Sequence, residues 1–146
     1  MQALLQRVSQ ASVSVNGQVT GAIGQGLLVL VCAEHGDSDD IAEKLLQKIV
    51  KLRIFSDAND RMNESVLDIG GAMLIVSQFT LAAETTRGNR PSFTPAANPD
   101  AAQALYDLFV RHARETGLKV ATGQFGADMQ VSLVNDGPVT IPVSIR

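Results

Sequence analysis

Residues 27–33 read Leu-Leu-Val-Leu-Val-Cys-Ala, and every side chain in this run is apolar. A strand covered on both faces carries continuous apolar sequence, whereas a strand with one wet face alternates. The run therefore predicts a central β-strand with packed layers on both sides. It is also much shorter than the roughly 20 apolar residues that span a bilayer, so we expect no membrane segment.

The sequence before this run predicts a β-hairpin. Residues 11–15 alternate apolar and serine side chains, and they are followed by Asn16-Gly17, a strong signal for a tight hairpin turn. Residues 19–23 then form the returning strand.

Two amphipathic helices are predicted after the run. The first covers about residues 38–53 and starts among aspartate and serine side chains that can cap it. The second starts with Asn98 as its cap and Pro99 in its first turn, and Gly117 ends it. The apolar stripes are Ile41, Leu45, Ile49 and Leu52 in the first helix, and Ala102, Leu105, Phe109 and Ala113 in the second.

Three further strands are predicted, over residues 72–76, 129–134 and 139–145. The last two are joined by a predicted turn at residues 135–138, and Pro142 in the last strand favours an edge position because proline cannot donate to a ladder. The resulting fold class is α+β: a mostly antiparallel, curled, barrel-like sheet with two covering helices, in a single domain over residues 1–146.

The composition excludes several classes of protein. Hydrophobic residues make up 45% and charged residues 18% of the chain, which excludes intrinsic disorder and coiled coil. The net charge of −3 argues against a general electrostatic attraction for nucleic acid. With one cysteine and no signal-peptide pattern, the chain is expected in a reducing cytoplasm.

Most familiar catalytic patterns are absent. Neither His35 nor His112 stands in a metal-ligand spacing with Cys32, so we expect no metal and no cofactor. His112 is predicted to be a partly covered surface residue, and Cys32 an inert buried thiol. The sequence contains no Gly-x-Ser-x-Gly elbow and no phosphate-binding glycine loop.

Two polar segments have either a structural or a functional interpretation. Ser77-Gln78-Phe79-Thr80-Leu81 follows a predicted buried strand, where polar side chains need partners or a ligand. Asn135-Asp136-Gly137-Pro138 has the composition of an ordinary turn.

Taken together, these segments resemble the D-aminoacyl-tRNA deacylases of the bacterial and eukaryotic type. The resemblance covers essentially the whole chain. Besides the two polar segments it includes Val13-Ser14-Val15-Asn16-Gly17, Gly88-Asn89-Arg90-Pro91-Ser92-Phe93 and Gly123-Gln124-Phe125-Gly126-Ala127-Asp128-Met129.

The resemblance implies an editing hydrolase that cleaves the ester between a D-amino acid and the 3′-terminal adenosine of tRNA. It implies a homodimer with active sites at the interface. Ser77, Gln78, Phe79 and Thr80 would line the pocket, with backbone amides facing the scissile carbonyl.

The same resemblance assigns the remaining site residues. Gly137 and Pro138, joined by a cis peptide bond, would enter the partner's pocket, and Arg7 would steady their loop. Phe125 and Met129 would hold the terminal adenine, a task that suits an aromatic face and a pliable thioether.

The hydrolytic step has more than one reading. Thr80 is a candidate nucleophile, but a threonine hydroxyl needs an adjacent base and none is visible. The resemblance implies an alternative, in which the 2′-hydroxyl of the RNA assists the hydrolysis, and we favour it because this group already lies beside the ester. A tRNA- or nucleotide-binding module without catalysis and a small esterase using Thr80 or Cys32 are the alternatives. Arg87 and Arg90 would meet phosphates in a catalytic or a purely binding protein.

Overall fold

The computed structural model describes residues 1–146 as a six-stranded sheet, a small two-stranded sheet and two α-helices. The strands of the large sheet are β1 (Gln2–Val15), β2 (Gln18–Ile23), β3 (Gly26–Cys32), β6 (Ala72–Ser77), β7 (Lys119–Thr122) and β8 (Gln130–Ser144). The small sheet contains β4 (Phe55–Ser56) and β5 (Met62–Glu64). The helices are α1 (Asp39–Lys51), α2 (Pro99–Glu115) and a single 3-10 turn (Phe79–Ala82). No helix is both long and apolar enough to cross a membrane.

The large sheet is mixed and curled. Its strand order is β2-β1-β3-β6-β7, and β8 pairs with β1. The pairs of β1 with β2, β3 and β8 are antiparallel, while β3–β6 and β6–β7 are parallel. The two ends of this order approach each other, because a Cβ built on Gly21 of β2 would lie 2.6 Å from the carbonyl oxygen of Thr122 in β7. The α+β class and the barrel-like sheet are confirmed.

Strand β3 is covered on both faces, as its continuous apolar sequence predicts. Leu27, Val29 and Val31 are buried in the layer between the sheet and the helices. Leu28 is buried in a second cluster inside the curled sheet, together with Leu74 of the neighbouring β6. Apolar side chains on both faces therefore fix this strand at the centre of the fold.

Both helices start at their predicted caps. The Ser38 hydroxyl accepts a hydrogen bond from the Ile41 amide (3.4 Å), and the Asn98 side chain accepts one from the Ala101 amide (2.9 Å). The buried face of α1 differs from the predicted stripe, since Ile41 and Leu52 are only half-buried. Its buried residues are Ala42, Leu45, Leu46, Ile49 and Val50.

The predicted turn at residues 135–138 is wrong, because β8 continues through it as one strand. Gln6 of β1 faces Thr140 and Val8 faces Asn135, so residues 136–139 protrude from the ladder opposite Arg7. The chain keeps its direction, and the turn-forming residues make a bulge instead of a reversal. Because β8 pairs only with β1, it is an edge strand, which agrees with the prediction from Pro142.

Candidate active site

A cavity of about 590 Å³ lies where the neighbouring parallel strands β3 and β6 end. This volume lies in the range of roughly 300–1,000 Å³ that is usual for small-molecule sites. The walls are mostly apolar, and the residues that line the cavity come from the strand ends, from α2 and from the segment before β8. They include Cys32, Ser77, Gln78, Phe79, Phe93, Tyr106, Phe125 and Met129.

The segment after β6 supplies two unpaired backbone donors beside this cavity. The Gln78 amide donates to the Val31 carbonyl (2.8 Å), which extends the contact with β3 by one residue before the 3-10 turn begins. The next two amides, those of Phe79 and Thr80, begin the 3-10 turn, so they have no acceptor within it, and neither donates in the loop hydrogen bonds around it. Two adjacent N–H groups are therefore free to bind an oxygen atom.

Thr80 itself lies outside the cavity. Its side chain is exposed, and its hydroxyl oxygen accepts a hydrogen bond from the side-chain nitrogen Nε2 of Gln78. Ser77, Gln78 and Phe79 do line the cavity, so the structure brings together three of the four predicted residues of this segment.

Two pairs of aromatic rings line the cavity. The Phe79 ring is 55% exposed and meets the Phe93 ring edge to face, with the centroids 5.2 Å apart. In the second pair, the centroid of the Phe125 ring lies 5.8 Å from that of Tyr106. The Tyr106 hydroxyl donates to the Ile75 carbonyl (2.8 Å), and burial raises the pKa of Tyr106 to about 12, so it stays a neutral donor. Sequence reasoning missed Tyr106, although it lies four residues after Ala102 on the apolar face of α2.

Met129 is held at the cavity wall by the segment that precedes it. Its thioether sulfur accepts a hydrogen bond from the Gln124 amide (3.4 Å). A Cβ built on Gly123 would lie 2.6 Å from the same sulfur, so a side chain at position 123 would displace the Met129 thioether from this place. Phe125 and Met129, predicted together from the resemblance, line one cavity.

Arg7, Gly137 and Pro138 form a second group of residues that does not line this cavity. The peptide bond between Gly137 and Pro138 is cis, and both residues are exposed. Arg7 donates to two carbonyl oxygens, that of Asp136 (2.8 Å) and that of Ile54 (2.9 Å), so its guanidinium ties the bulge to the body of the protein.

The side chain of Asn135 closes the base of the same bulge. It accepts a hydrogen bond from the Val139 amide (2.7 Å) and donates to the Val139 carbonyl (3.3 Å) and the Thr140 hydroxyl (3.0 Å). Sequence reasoning had placed Asn135 in an ordinary turn and gave it no such role.

Cys32 lines the cavity, whereas neither His35 nor His112 does. Cys32 is buried, and desolvation raises the pKa of its thiol to about 11. His35 is exposed and His112 is half-buried on α2, as predicted for a surface residue. No three side chains of the His, Cys, Asp and Glu types are grouped so that they could hold a metal ion.

The raised pKa of Cys32 predicts slow alkylation of the native protein. With a pKa of about 11, only roughly one thiol in a thousand is ionised at pH 8, and the thiolate is the reactive form. We expect iodoacetamide to label Cys32 slowly at pH 8 and faster as the pH rises towards 11. The unfolded protein in guanidinium chloride is the control and should be labelled at the rate of an ordinary cysteine. Equal rates in both states would contradict this prediction.

Comparisons with known proteins agree with the geometry. A family model described as D-Tyr-tRNA(Tyr) deacylase matches residues 4–144. A Variovorax paradoxus (strain S110) protein named D-aminoacyl-tRNA deacylase is 62% identical over 99% of both chains. Its namesake in Azoarcus sp. (strain BH72) is 61% identical over 99% of this chain and 96% of its own.

Two solved structures are similar over the full length. One, described as a c-Myc DNA Unwinding Element Binding Protein, has a TM-score of 0.94 at 39% identity and covers 100% of this chain and 99% of its own. The other, described as a probable eukaryotic D-amino acid tRNA deacylase, has a TM-score of 0.85 at 19% identity over 99% of this chain and 98% of its own, and it supports the fold alone. On the family model and the full-length relatives, the chain belongs to the D-Tyr-tRNA(Tyr) deacylase family of hydrolases.

Proposed function

We propose that the chain is an editing hydrolase that cleaves the ester between a D-amino acid and the 3′-terminal adenosine of tRNA, releasing both. The observation that carries the proposal is the pair of unpaired Phe79 and Thr80 amides beside an apolar cavity. Family membership adds the substrate class, since the full-length relatives are named D-aminoacyl-tRNA deacylases. The proposed place of action is the cytoplasm, where aminoacyl-tRNA is used.

The backbone amides of Phe79 and Thr80 are the proposed hydrogen-bond donors to the carbonyl oxygen of the ester. In ester hydrolysis the carbonyl oxygen gains negative charge as the nucleophile attacks. Preorganised N–H groups in a site that excludes water stabilise that charge, and they need no rearrangement during the reaction. Ser77 and Gln78 would line the approach of the aminoacyl group to these amides.

Phe125 and Met129 are the proposed adenine site. An aromatic ring and a thioether offer polarisable surface to a base and make few demands on its hydrogen bonding. The contact of Phe125 with Tyr106 and the hydrogen bond from Gln124 to the Met129 sulfur support this role, because both side chains are held in place before the ligand arrives.

The proposed source of assistance for the attacking water is the vicinal 2′-hydroxyl of the RNA. This group already lies beside the ester, so its use costs little further ordering entropy. The Thr80 hydroxyl has only Gln78 as a partner in the structure, and an amide cannot act as the base that a threonine nucleophile requires.

Replacing Thr80 with alanine is therefore expected to retain most of the deacylation rate. A true nucleophile typically contributes several orders of magnitude to kcat, so a change of less than about tenfold separates the two readings. Single-turnover kinetics with D-alanyl-tRNA measures the rate, and mass spectrometry of the quenched reaction searches for an acyl adduct. An acyl group trapped on Thr80 of the native protein would refute the RNA-assisted route.

The proposed active form is a homodimer that shares its active sites. The bulge bearing Gly137 and Pro138 is exposed and does not line the cavity of its own chain, while the cavity rim carries the exposed Phe79 ring. The adjoining edge strand β8 leaves one side of its backbone unpaired, which is a common place for a second copy to pack. In a two-fold dimer each bulge would enter the cavity of the other copy.

The dimer is tested by comparing association with activity over a range of concentrations. Sedimentation velocity is expected to show dimers at assay concentration, and activity per chain should fall once dilution produces monomers. A fully active monomer would contradict the shared site.

The bulge is also the proposed source of chiral selectivity. D- and L-aminoacyl esters differ in the direction that the side chain takes from the α-carbon. If the partner subunit's Gly137 and Pro138 fill the L direction, the L side chain collides with backbone atoms, and the site rejects it by obstruction. Glycine has no side chain to reject, so glycyl-tRNA would be hydrolysed as well.

One deacylation assay distinguishes the proposal from two alternatives, a nucleic-acid-binding module without catalysis and a simple esterase. Purified protein is incubated with D- and L-aminoacyl-tRNA without added metal, and loss of the ester is followed. Selective loss of the D isomer supports the proposal. No loss of either isomer supports a binding module, and loss of both or of a simple ester supports the esterase.

A further inference from the structure

We infer that the loop over residues 85–91, here called the arginine loop, binds the phosphates of the nucleotides that precede the terminal adenosine of the substrate. The inference rests on the proposed function, because it takes the cavity as the site of that adenosine. It adds a binding surface outside the cavity and a reason for the enzyme to prefer a whole tRNA over its terminal nucleoside.

The arginine loop starts and ends at the rim of the cavity. Glu84 and Ser92 exchange two backbone hydrogen bonds (2.7 and 3.0 Å), which fix the base of the loop. Phe93 follows directly, lines the cavity and meets Phe79 edge to face. A loop of this length extends at most about 10 Å beyond its base, since each half contains about three residues. The tip of the loop therefore stays close to any RNA strand that leaves the cavity past Phe93.

The tip of the arginine loop carries positive charge without compensation. Arg87 and Arg90 are exposed, and neither makes a salt bridge or a hydrogen bond in the protein. Residues 85–93 contain no acidic side chain. Guanidinium groups suit phosphates because their planar arrangement of donors matches pairs of phosphate oxygens. In a chain of net charge −3, this loop is a local exception in sign.

The one acidic side chain at the base of the arginine loop, that of Glu84, is hydrogen-bonded to the loop itself. The Glu84 carboxylate accepts a hydrogen bond from the Thr86 amide (3.2 Å), and the hydrogen bonds from Thr86 lower its pKa. Glu84 thus remains ionised at neutral pH, but its carboxylate is bound to the loop backbone and makes no ion pair with either arginine. The two arginines outnumber this one carboxylate, so residues 84–91 keep a net positive charge.

A second pair of arginines offers an alternative binding site for the RNA phosphates. Arg111 and Arg114 on α2 border a depression of about 700 Å³ that shares Tyr106 and Phe125 with the cavity. Asp107 and Glu115 border the same depression, so positive and negative charges are equal there. The uncompensated arginine loop is the stronger phosphate site on this ground, and the α2 pair supplies a matched control.

The test compares the double variants Arg87→Gln/Arg90→Gln and Arg111→Gln/Arg114→Gln on two substrates. These are D-alanyl-tRNA and D-alanyl-adenosine, which lacks the preceding phosphates. For the loop variant we expect the ratio of kcat/KM between tRNA and nucleoside substrate to fall on the order of tenfold at low salt. The slope of log KM against log salt should decrease by about 1.4, which is roughly 0.7 for each lost phosphate contact with a single strand. The α2 variant should keep the wild-type ratio and slope.

Binding of uncharged tRNA, measured by fluorescence anisotropy, separates this inference from the proposed function. Weaker binding by the loop variant supports the inference even if the wild-type protein hydrolyses neither substrate, a result that would overturn only the proposed function. A loop variant with the wild-type ratio and the wild-type affinity overturns the inference while the hydrolase stands. Loss confined to the α2 variant also overturns it and assigns the phosphates to the depression beside α2.

Discussion

Replacing Gly137 with alanine is expected to lower kcat/KM for D-aminoacyl-tRNA and for glycyl-tRNA by at least roughly a hundredfold, since misplacement by about 1 Å can cost that much in a preorganised site. Gly137 has a φ of +150°, a backbone conformation that residues other than glycine rarely adopt. The added Cβ would lie 2.8 Å from both the Val139 Cγ2 atom and the Val139 amide nitrogen.

The same methyl group would disturb the contact that holds the bulge. It would lie 3.2 Å from a terminal nitrogen of Arg7, whose guanidinium binds the Asp136 carbonyl. The bulge must therefore move, and in the proposed dimer it moves within the active site of the other copy. Because Gly137 is exposed and outside the core, we expect the loss of activity without loss of the fold.

Gly24→Ala is the matched control for this variant. A Cβ at Gly24 meets no atom within 4 Å, and its backbone does not have a positive φ. Both variants are compared by kcat/KM on D-alanyl-tRNA and by Tm from circular dichroism. Full activity of Gly137→Ala with an unchanged Tm would show that the bulge does not form part of the active site. Equal damage by Gly24→Ala would point to a general effect of losing a glycine.

The elements predicted correctly from sequence are those specified by local signals. The Asn16-Gly17 turn needs positive φ at both positions, and both have it. The caps Ser38 and Asn98 act within three residues of themselves. Strand β3 was predictable because the two-sided burial of its residues follows directly from their composition. Each of these signals is complete within a short window of the chain.

Residues 135–138 have a conformation that local sequence does not determine. Asn, Asp, Gly and Pro favour both a reversing turn and a bulge, and only the pairing with β1 decides between them. That pairing joins residues more than a hundred positions apart, such as Gln6 and Thr140. The short strand β7 was missed for a similar reason, since its burial depends on the neighbouring β6.

The resemblance names five residues that the structure places around one cavity, whereas no local pattern in the sequence shows that they meet. These residues are Ser77, Gln78, Phe79, Phe125 and Met129. Phe79 comes from one segment and Phe125 and Met129 from another. Their shared cavity results from the parallel pairing of β3 with β6 and from the packing of α2. The aromatic partners Phe93 and Tyr106 have no sequence pattern that marks them as site residues. Their positions beside Phe79 and Phe125 are tertiary contacts.

The second large effect is expected in chiral selectivity. Under identical conditions, D-alanyl- and glycyl-tRNA should both be hydrolysed, and L-alanyl-tRNA should react at least roughly a hundredfold more slowly. Forcing a methyl group against packed atoms costs about 1–3 kcal/mol or more, and the upper end of this range corresponds to about a hundredfold in rate, since each 1.36 kcal/mol is about tenfold. The upper end applies where the obstructing atoms cannot move. The obstructing atoms proposed here are backbone atoms of the bulge, which Arg7 and the Asn135 side chain hold in place. Such atoms cannot rotate aside as a side chain would.

Obstruction and favourable fit make opposite predictions for varied D side chains. If selectivity arose from contacts with the D side chain, D-alanyl-, D-phenylalanyl- and D-aspartyl-tRNA would differ widely in kcat/KM, and glycyl-tRNA, which lacks those contacts, would be spared. If the bulge excludes the L direction, the three D substrates are accepted at similar rates and glycyl-tRNA is hydrolysed with them. The decisive assay uses one tRNA charged with each amino acid in turn, so that every other contact is constant. Hydrolysis of L-alanyl-tRNA at the D rate, or complete sparing of glycyl-tRNA, would show that steric exclusion is not the origin of selectivity.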